Sequence, residues 1–106
     1  MDRRELVRQA KKGNNYAIQV LWEQLAPVWR NGYKYHRPKI LDFEDVESIV
    51  KEAFFTAIDK YKGENYRTFV ANFALNCRRN IKRAEQKEAE FRRRNHLILD
   101  FFRPNL

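Results

Sequence analysis

The chain has 106 residues, of which 43% are apolar and 34% are charged, and its formal net charge is +8. This composition suits one small globular domain and excludes wholesale disorder, because there are enough apolar side chains to form a core. The chain has only three glycines and three prolines, too few for a small all-β fold with its many turns. The basic excess favours a polyanion or an acidic surface as partner.

The sequence has no pattern typical of a metal site, a disulfide or a membrane span. Cys77 is the single cysteine, so no internal disulfide can form, and its place on an apolar stripe indicates a core residue. His36 and His96 are not accompanied by ligands at metal-binding spacing. No apolar run reaches the ~20 residues of a transmembrane helix, and the first residues do not resemble a signal peptide. We therefore expect a cytoplasmic protein without metal or cofactor.

Two helices are predicted in the first third of the chain. The first, Asp2 to Lys12, has a narrow apolar stripe among basic residues and ends at Gly13, and the Asn14-Asn15 pair that follows supplies the N-cap of the next helix. The second runs from Tyr16 to about Trp29, with a kink expected because Pro27 removes a backbone donor. The basic and aromatic residues 33–39 then read as a connector. The aromatic rings could stack on the bases of a single nucleic-acid strand, although covering the domain edge is the simpler interpretation.

An acidic third helix is predicted to begin after Asp42 and to reach Tyr61. Asp42 is a good N-cap, and the acids that follow it suit the positive end of the helix dipole. The inner face of this helix has a strong apolar stripe, which predicts burial. The outer face carries acids, with Ile49 and Phe55 at its margins. Two interpretations fit this composition: a protein-docking surface and a solvated face.

The fourth helix is predicted to begin at Tyr66, after a loop in which Gly63 supplies a positive φ and Asn65 the N-cap. One stripe of this helix is apolar. A second stripe combines amides and guanidinium groups without an acid, which is the chemistry that contacts phosphates and base edges, although a solvated face would look similar. The second stripe consists of Asn72, Asn76, Arg79 and Arg83, with Arg78, Asn80 and Lys82 alongside.

These elements together predict an all-α fold, a compact bundle of about four helices with a long basic C-terminal helix. We expect a helical domain over residues 1–96 and an apolar C-terminal tail over residues 97–106. The late apolar cluster, Leu97 to Phe102, should dock back on the domain or be buried by a partner.

The order of these helices resembles the second conserved region of bacterial RNA polymerase sigma factors, especially the small alternative and extracytoplasmic-function type. The family's opening, Leu-Val-x-x-Ala-x-x-Gly-Asn, is similar to residues 6–14. Glu44-Asp45-Val46 resembles the Glu-Asp-Leu that opens the family's polymerase-binding helix. The family's Phe-x-x-Trp-Leu-x-x-Ile-Ala-x-Asn…Asp-x-x-Arg is similar to the stretch from Tyr66 to Arg83, with Phe69 in place of Trp. A Gln-Glu pair usual in the family is replaced here by Ser48-Ile49.

The resemblance, over roughly residues 5–90, implies that the third helix docks on the clamp helices of the RNA polymerase core. A basic clamp surface would need acidic complements. The polymerase-binding residues it implies are Asp45, Glu47, Ser48, Ile49 and Glu52.

The resemblance also implies that the fourth helix and the loop before it face the minus-ten promoter element. A flipped base would be held beside the helix N-terminus, amides would read base edges, and cations would hold phosphates. The DNA-binding residues it implies are Lys62, Gly63, Asn65, Tyr66, Asn72, Asn76, Arg78, Arg79, Lys82 and Arg83.

The expected function is therefore a bacterial or phage sigma-like transcription initiation factor domain that binds the polymerase core and recognises or melts promoter DNA. The family's helix-turn-helix module for the upstream promoter element has no counterpart here. We thus expect a fragment, a relative put to another use, or a half that works with a second chain carrying that module; an anti-sigma-like regulator is a further expected partner.

Two other functions fit the residues less well. The first is a protein-interaction module that binds polymerase or a partner subunit without reading DNA, and the second is a generic nucleic-acid binder that acts through charge alone. An enzyme is disfavoured, because the sequence has no nucleophile–base constellation and no glycine-rich phosphate loop.

Overall fold

The structure, a computed structural model, describes residues 2–35 and 40–101 of the chain. Within these ranges the backbone forms four α-helices and no strand, which confirms the predicted all-α bundle with a long C-terminal helix. In chain order the helices are α1 (Arg3–Lys11), α2 (Asn15–Tyr35), α3 (Phe43–Asp59) and α4 (Tyr66–Phe101).

The starts of the helices are fixed by side-chain caps, as the sequence predicts for three of them. The side-chain oxygens of Asp2, Asn14 and Asn65 each accept a hydrogen bond from the backbone N–H three residues later, at 2.8, 3.2 and 2.8 Å. At α3, Asp42 and Asp45 form a reciprocal capping box. Such caps each stabilise a helix by about 1 kcal/mol, so the sequence positions of the helix starts are well specified.

The glycine in each of the two tight connections has a backbone conformation that other residues rarely adopt. Gly13 has a φ of 90° and Gly63 a φ of 96°. The positive φ predicted for Gly63 is therefore present, and it lets the chain pass from α3 into α4 within a short loop.

Helix α2 is longer than predicted. It continues through Gly32 to Tyr35, so the prediction that it ends near Trp29 was wrong. Aromatic packing accounts for the extension: Tyr33, one turn beyond Trp29, meets the ring of Phe43 at 5.5 Å, and Trp29 meets the same ring at 5.5 Å. A glycine costs about 1 kcal/mol in a helix, less than burying such rings contributes.

The connector predicted for residues 33–39 is thus partly helical, since residues 33–35 belong to α2. Tyr33 contacts the ring of Phe43 at 5.5 Å, in agreement with the prediction that it covers the domain edge. Residues 36–39 lie outside the described part of the chain. Pro27 is exposed and lies inside the continuous α2, and the kink expected there stays a prediction.

The core lies where α4 and α2 pack against α3. Phe54 is its centre, because its ring meets those of Trp22 at 5.2 Å and Phe73 at 6.2 Å. Helix α1 closes one end of the core with Leu6 and Val7. The buried apolar residues are Leu6, Val7, Ala10, Ala17, Leu21, Leu25, Trp29, Val46, Val50, Ala53, Phe54, Ala57, Ile58, Tyr61, Phe69, Phe73 and Cys77.

The second half of α4 extends beyond this core. The helix has 36 residues, which corresponds to about 54 Å, and the longest dimension of the molecule is 69 Å. Every side chain from residue 89 to residue 98 is exposed. Leu97 and Ile98, expected to dock back, are 58% and 54% exposed. The helix runs across the predicted boundary at residues 96 and 97, and residues 102–106 lie outside the described range.

Replacing Phe73 by Ala should lower the free energy of unfolding by about 3–5 kcal/mol, because the side chain is completely buried and its removal leaves a cavity. Urea titration followed by far-UV circular dichroism measures this loss. The matched control is Leu75→Ala on the same helix, since Leu75 is 40% exposed and should cost no more than about 0.5 kcal/mol. Equal losses for the two variants would contradict the packing described here.

Candidate nucleic-acid and partner interfaces

The first half of α4 has no acidic residue from Tyr66 to Ala84. Because an α-helix turns by about 100° per residue, Asn72, Asn76, Arg79 and Arg83 fall within about 60° of one another around the helix axis. This flank borders the buried face. Asn76 is half-buried there, and the other three are exposed. The structure therefore brings these four predicted residues together as one stripe, which we call the amide–arginine stripe.

The amide–arginine stripe is not neutralised by the rest of the described chain. Among residues 2–35 and 40–101, no side-chain hydrogen bond or ion pair involves Asn72, Asn76, Arg79 or Arg83. Exposed guanidinium groups without an acid nearby are the usual contacts of phosphates, and an exposed carboxamide presents a donor and an acceptor together.

The remaining predicted phosphate contacts lie elsewhere on α4. Arg78 and Lys82 are each about 100° around the axis from Arg79 and Arg83, their neighbours in sequence. All four are exposed. The four predicted phosphate-binding cations therefore form two pairs on different sides of the helix. Arg67 is also exposed and lies on the same side as Arg78, although the sequence did not single it out.

The loop between α3 and α4 is held in place by α1. The Arg4 side chain donates a hydrogen bond from Nη2 to the carbonyl oxygen of Gly63 at 2.7 Å, and Lys11 donates from Nζ to the carbonyl of Tyr61. The Tyr61 hydroxyl donates to the carbonyl of Glu64 at 2.7 Å. Neither α1 contact was predicted, because each joins residues at least 50 positions apart. The sequence showed only that the N-terminal helix is basic.

Tyr66, one of the predicted DNA-binding residues, already has intramolecular partners. The guanidinium carbon of Arg3 lies 5.3 Å from the centre of its ring, and its hydroxyl donates to Oε1 of Gln24 at 3.3 Å. Burial raises the pKa of the Tyr66 phenol, and the nearby Arg3 charge lowers it to a smaller extent. Asn65 uses its side-chain oxygen as the α4 cap. A base stacked on Tyr66 from that side would therefore have to displace Arg3.

The predicted polymerase-binding residues of α3 lie on two flanks. Asp45, Ser48, Ile49 and Glu52 fall within about 100° of one another around the helix axis. Glu47 lies on the other flank, where its carboxylate pairs with the ammonium of Lys51 at 3.3 Å. The structure thus brings four of the five residues together and separates Glu47 from them.

Three of these four residues open onto a groove of about 700 Å³ between the N-terminal half of α3 and the second half of α4. We call it the α3–α4 groove. Its apolar lining residues come from both helices and from Leu41 just before α3, and its charged lining residues are of both signs. The lining residues are Leu41, Asp45, Ser48, Ile49, Ala84, Lys87, Glu88, Glu90, Phe91 and Arg94.

No protein-family model, curated protein or solved structure matches this chain. The likeness to sigma factors therefore stays a prediction from the residues quoted for it.

None of the helices in the described ranges combines the length and apolarity that a membrane span requires. In the same part of the chain, His, Cys, Asp and Glu side chains form no cluster that could hold a metal ion.

Cys77 lies on the buried face of α4, where burial raises the pKa of its thiol from 9.0 to about 12. At a pH near 9 the thiol should stay protonated in the folded protein, so iodoacetamide should alkylate it much more slowly than in urea. Mass spectrometry measures the two rates, and equal rates would contradict burial. The Cys77 thiol ionises at a lower pH in the unfolded chain than in the folded protein. The contribution of the buried, protonated thiol to the free energy of unfolding should therefore be lost as the pH rises from about 9 to about 12.

Proposed function

We propose that this protein is a sigma-like transcription initiation factor domain that binds the RNA polymerase core and recognises or melts the minus-ten promoter element. The observation that carries the proposal is the amide–arginine stripe, a set of side chains on α4 that has no acid among them and is exposed apart from the half-buried Asn76. Arg79 and Arg83 would hold phosphates, and Asn72 and Asn76 would contact base edges. Such a factor acts in the cytoplasm, where polymerase and promoter DNA meet.

The dimensions of the stripe support binding to a short run of nucleotides. From Asn72 to Arg83 the helix rises by about 16 Å, while phosphates of one B-DNA strand are spaced about 3.4 Å apart along the axis. Against a stacked strand with this spacing, the stripe spans about five phosphates. In an opened and more extended strand the phosphates lie farther apart, so fewer of them lie along the stripe; such a strand could follow the flank of α4 with its bases turned toward the amides.

The loop before α4 would receive an unstacked base on Tyr66. Displacing the Arg3 guanidinium from the ring costs about 0.5–1 kcal/mol at an exposed site, whereas stacking a base on an aromatic ring contributes about 1–3 kcal/mol. The exchange therefore gains free energy, which offsets part of the few kcal/mol that unstacking the base from the DNA requires. The displaced Arg3 would then be free to hold a phosphate. The bonds from α1 to Gly63 and Tyr61 keep the loop in position for this exchange.

The α3 flank that holds Asp45, Ser48, Ile49 and Glu52 would dock on the clamp helices of the polymerase. Its acids complement a basic surface, and Ile49 supplies an apolar contact beside them. This flank and the amide–arginine stripe belong to helices that pack directly on each other. Docking of α3 would thus set the position of α4 relative to the promoter.

A second candidate function is a sigma-like module that binds polymerase or a partner subunit without reading DNA. The α3–α4 groove favours it, as does the fact that Gly63, Asn65 and Tyr66 already have intramolecular hydrogen bonds. Capture of polymerase without any preference for promoter over random DNA would select this second function.

Replacing Arg79 and Arg83 together by Gln should weaken binding to DNA of any sequence and reduce its salt dependence. The slope of log K against log salt should become shallower by about 0.7–0.9 for each lost phosphate contact. Fluorescence anisotropy with a random-sequence duplex that contains an unpaired bubble measures the slope.

The control for this experiment is Lys51→Gln with Lys60→Gln, which also removes two positive charges, one from α3 and one from its C-cap. Both lysines are exposed and neither lies on α4, the helix that carries the stripe. The control should leave the slope unchanged if the contacts are local. Equal slopes for the wild type and the Arg79/Arg83 variant would rule out the phosphate contacts.

Replacing Glu52 by Lys should reduce capture of the RNA polymerase core from the native host by at least about tenfold, because a like charge would then face the basic clamp surface. Glu47→Lys is the matched control. It introduces the same charge change on the other flank of α3, where it breaks one exposed ion pair with Lys51. If the two variants capture polymerase equally well, the docking surface does not lie on the Glu52 flank.

A further inference from the structure

Two of the four predicted phosphate-binding cations lie outside the amide–arginine stripe. Arg78 and Lys82 are on a different side of α4, so a strand that follows the stripe does not account for them. Arg67 and Arg93 lie on the same side as this pair, and all four side chains are exposed. We call this set the outer track, and it consists of Arg67, Arg78, Lys82 and Arg93.

The outer track faces away from the core. Because an α-helix turns by about 100° per residue, its four cations fall within about 80° of one another around the helix axis. Each of them lies at least about 120° from the buried Phe73. The middle of the outer track lies about 110° around the axis from the middle of the amide–arginine stripe. The two sets therefore form separate surfaces on one helix.

Little negative charge accompanies the outer track. From residue 67 to residue 96, Glu85 is the one acid in the same sector of the helix, and it lies half-buried at the edge of that sector. Among the described residues, no side-chain hydrogen bond or ion pair involves any of the four cations. The sector thus keeps a net positive charge that an anionic partner can neutralise. Its other members have no formal charge at pH 7, and they are Ala71, Leu75, Ala89 and His96.

The cations of the outer track are widely spaced along the helix. Arg67 precedes Arg78 by a rise of about 16 Å. The same rise separates Lys82 from Arg93. The cations therefore form three groups, a pair in the middle and one arginine at each end, over about 39 Å of helix.

This spacing fits the phosphates of a double helix. Along one side of a DNA duplex the two phosphate backbones alternate, two for each turn of about 34 Å, so successive backbones are about 17 Å apart on average. An α-helix lying along the duplex would bring each group of cations to a different backbone. A single strand instead presents its phosphates in an unbroken row, at intervals much shorter than the gaps in the outer track.

We propose that the outer track binds the phosphate backbones of an intact DNA duplex, whatever its sequence. Phosphate contacts position a protein on DNA but carry no sequence information directly, so this site holds a duplex without distinguishing its bases. The proposal goes beyond the proposed function and does not depend on it, because neither polymerase nor an opened strand takes part. Helix α4 then has one site for duplex DNA and another for an opened strand.

The test measures binding of the full chain to a fully paired, random-sequence duplex of about three turns, roughly 30 base pairs. Fluorescence anisotropy at several salt concentrations gives the slope of log K against log salt. Replacing Arg67 and Arg93 together by Gln should make this slope shallower by about 1.8, because two phosphate contacts are lost. The affinity at low salt should fall by at least about tenfold.

Two matched variants distinguish a local site from a general effect of charge. Arg79→Gln with Arg83→Gln removes two charges from the amide–arginine stripe of the same helix, and it should leave the slope on the intact duplex unchanged. Lys51→Gln with Lys60→Gln removes two charges outside α4, and it should also leave this slope unchanged. Circular dichroism checks that all variants keep their helix content, since every altered residue is exposed.

A second probe, single-stranded poly(dT), tests the preference for a duplex. The variant that lacks Arg67 and Arg93 should bind poly(dT) with the wild-type slope, because a single strand follows the amide–arginine stripe on the other surface of α4. The two surfaces should thus respond to different forms of DNA.

Three outcomes would overturn the proposal. The first is an unchanged duplex slope in the Arg67/Arg93 variant. The second is an equal loss of slope in either matched variant, which would mean that charge acts without a local site. The third is an equal loss of slope on poly(dT) and on the duplex. Polymerase capture and the Arg79/Arg83 slope on bubble-containing DNA are separate measurements, so a failure here is distinguishable from a failure of the proposed function.

Discussion

The burial of one face of α4 against α3 is the interaction on which the rest of the structure depends. Phe69 and Phe73 are almost completely buried, and Phe73 packs its ring against Phe54. Once this face is fixed, the helical period determines where every other side chain of α4 points. The amide–arginine stripe is exposed on the flank because Phe69, Phe73 and Cys77 are inside.

The same constraint links the two proposed interfaces. The α3 flank with Asp45 and Glu52 and the α4 stripe belong to two helices joined by a short loop, and α1 secures that loop through Arg4 and Lys11. Neither interface can move independently without breaking the common core. A protein that must dock on one macromolecule and hold another at a fixed distance benefits from such a rigid connection.

Much of this fold follows from local sequence. The periodic apolar stripes, the caps at Asn14, Asp42 and Asn65 and the positive φ of Gly63 could be predicted, because each depends on residues within one or two turns. The end of α2 could not, since it depends on Tyr33 and Phe43 meeting across the bundle.

The candidate sites likewise have features that local sequence predicts and features that it does not. The grouping of Asn72, Asn76, Arg79 and Arg83 on one flank follows from helical spacing alone. That spacing also places Glu47 on the other flank of α3, although the family resemblance grouped it with Asp45. By contrast, the contacts of Arg3 with Tyr66 and of Arg4 with Gly63 join distant parts of the chain, so no local pattern predicts them.

The projecting half of α4 poses a separate energetic problem. Most helices in proteins are stabilised by burying an apolar face, and isolated helices shorter than about 12–15 residues are marginal in water. From residue 89 to residue 98 no described side chain is buried, and local support comes from the exposed Arg92–Glu88 and Arg94–Glu90 pairs. These pairs together contribute roughly 0.6–1 kcal/mol, less than burying Phe91 would add. A partner on the Phe91 face would therefore stabilise this segment more than its own ion pairs do, whether that partner is a second copy or another protein.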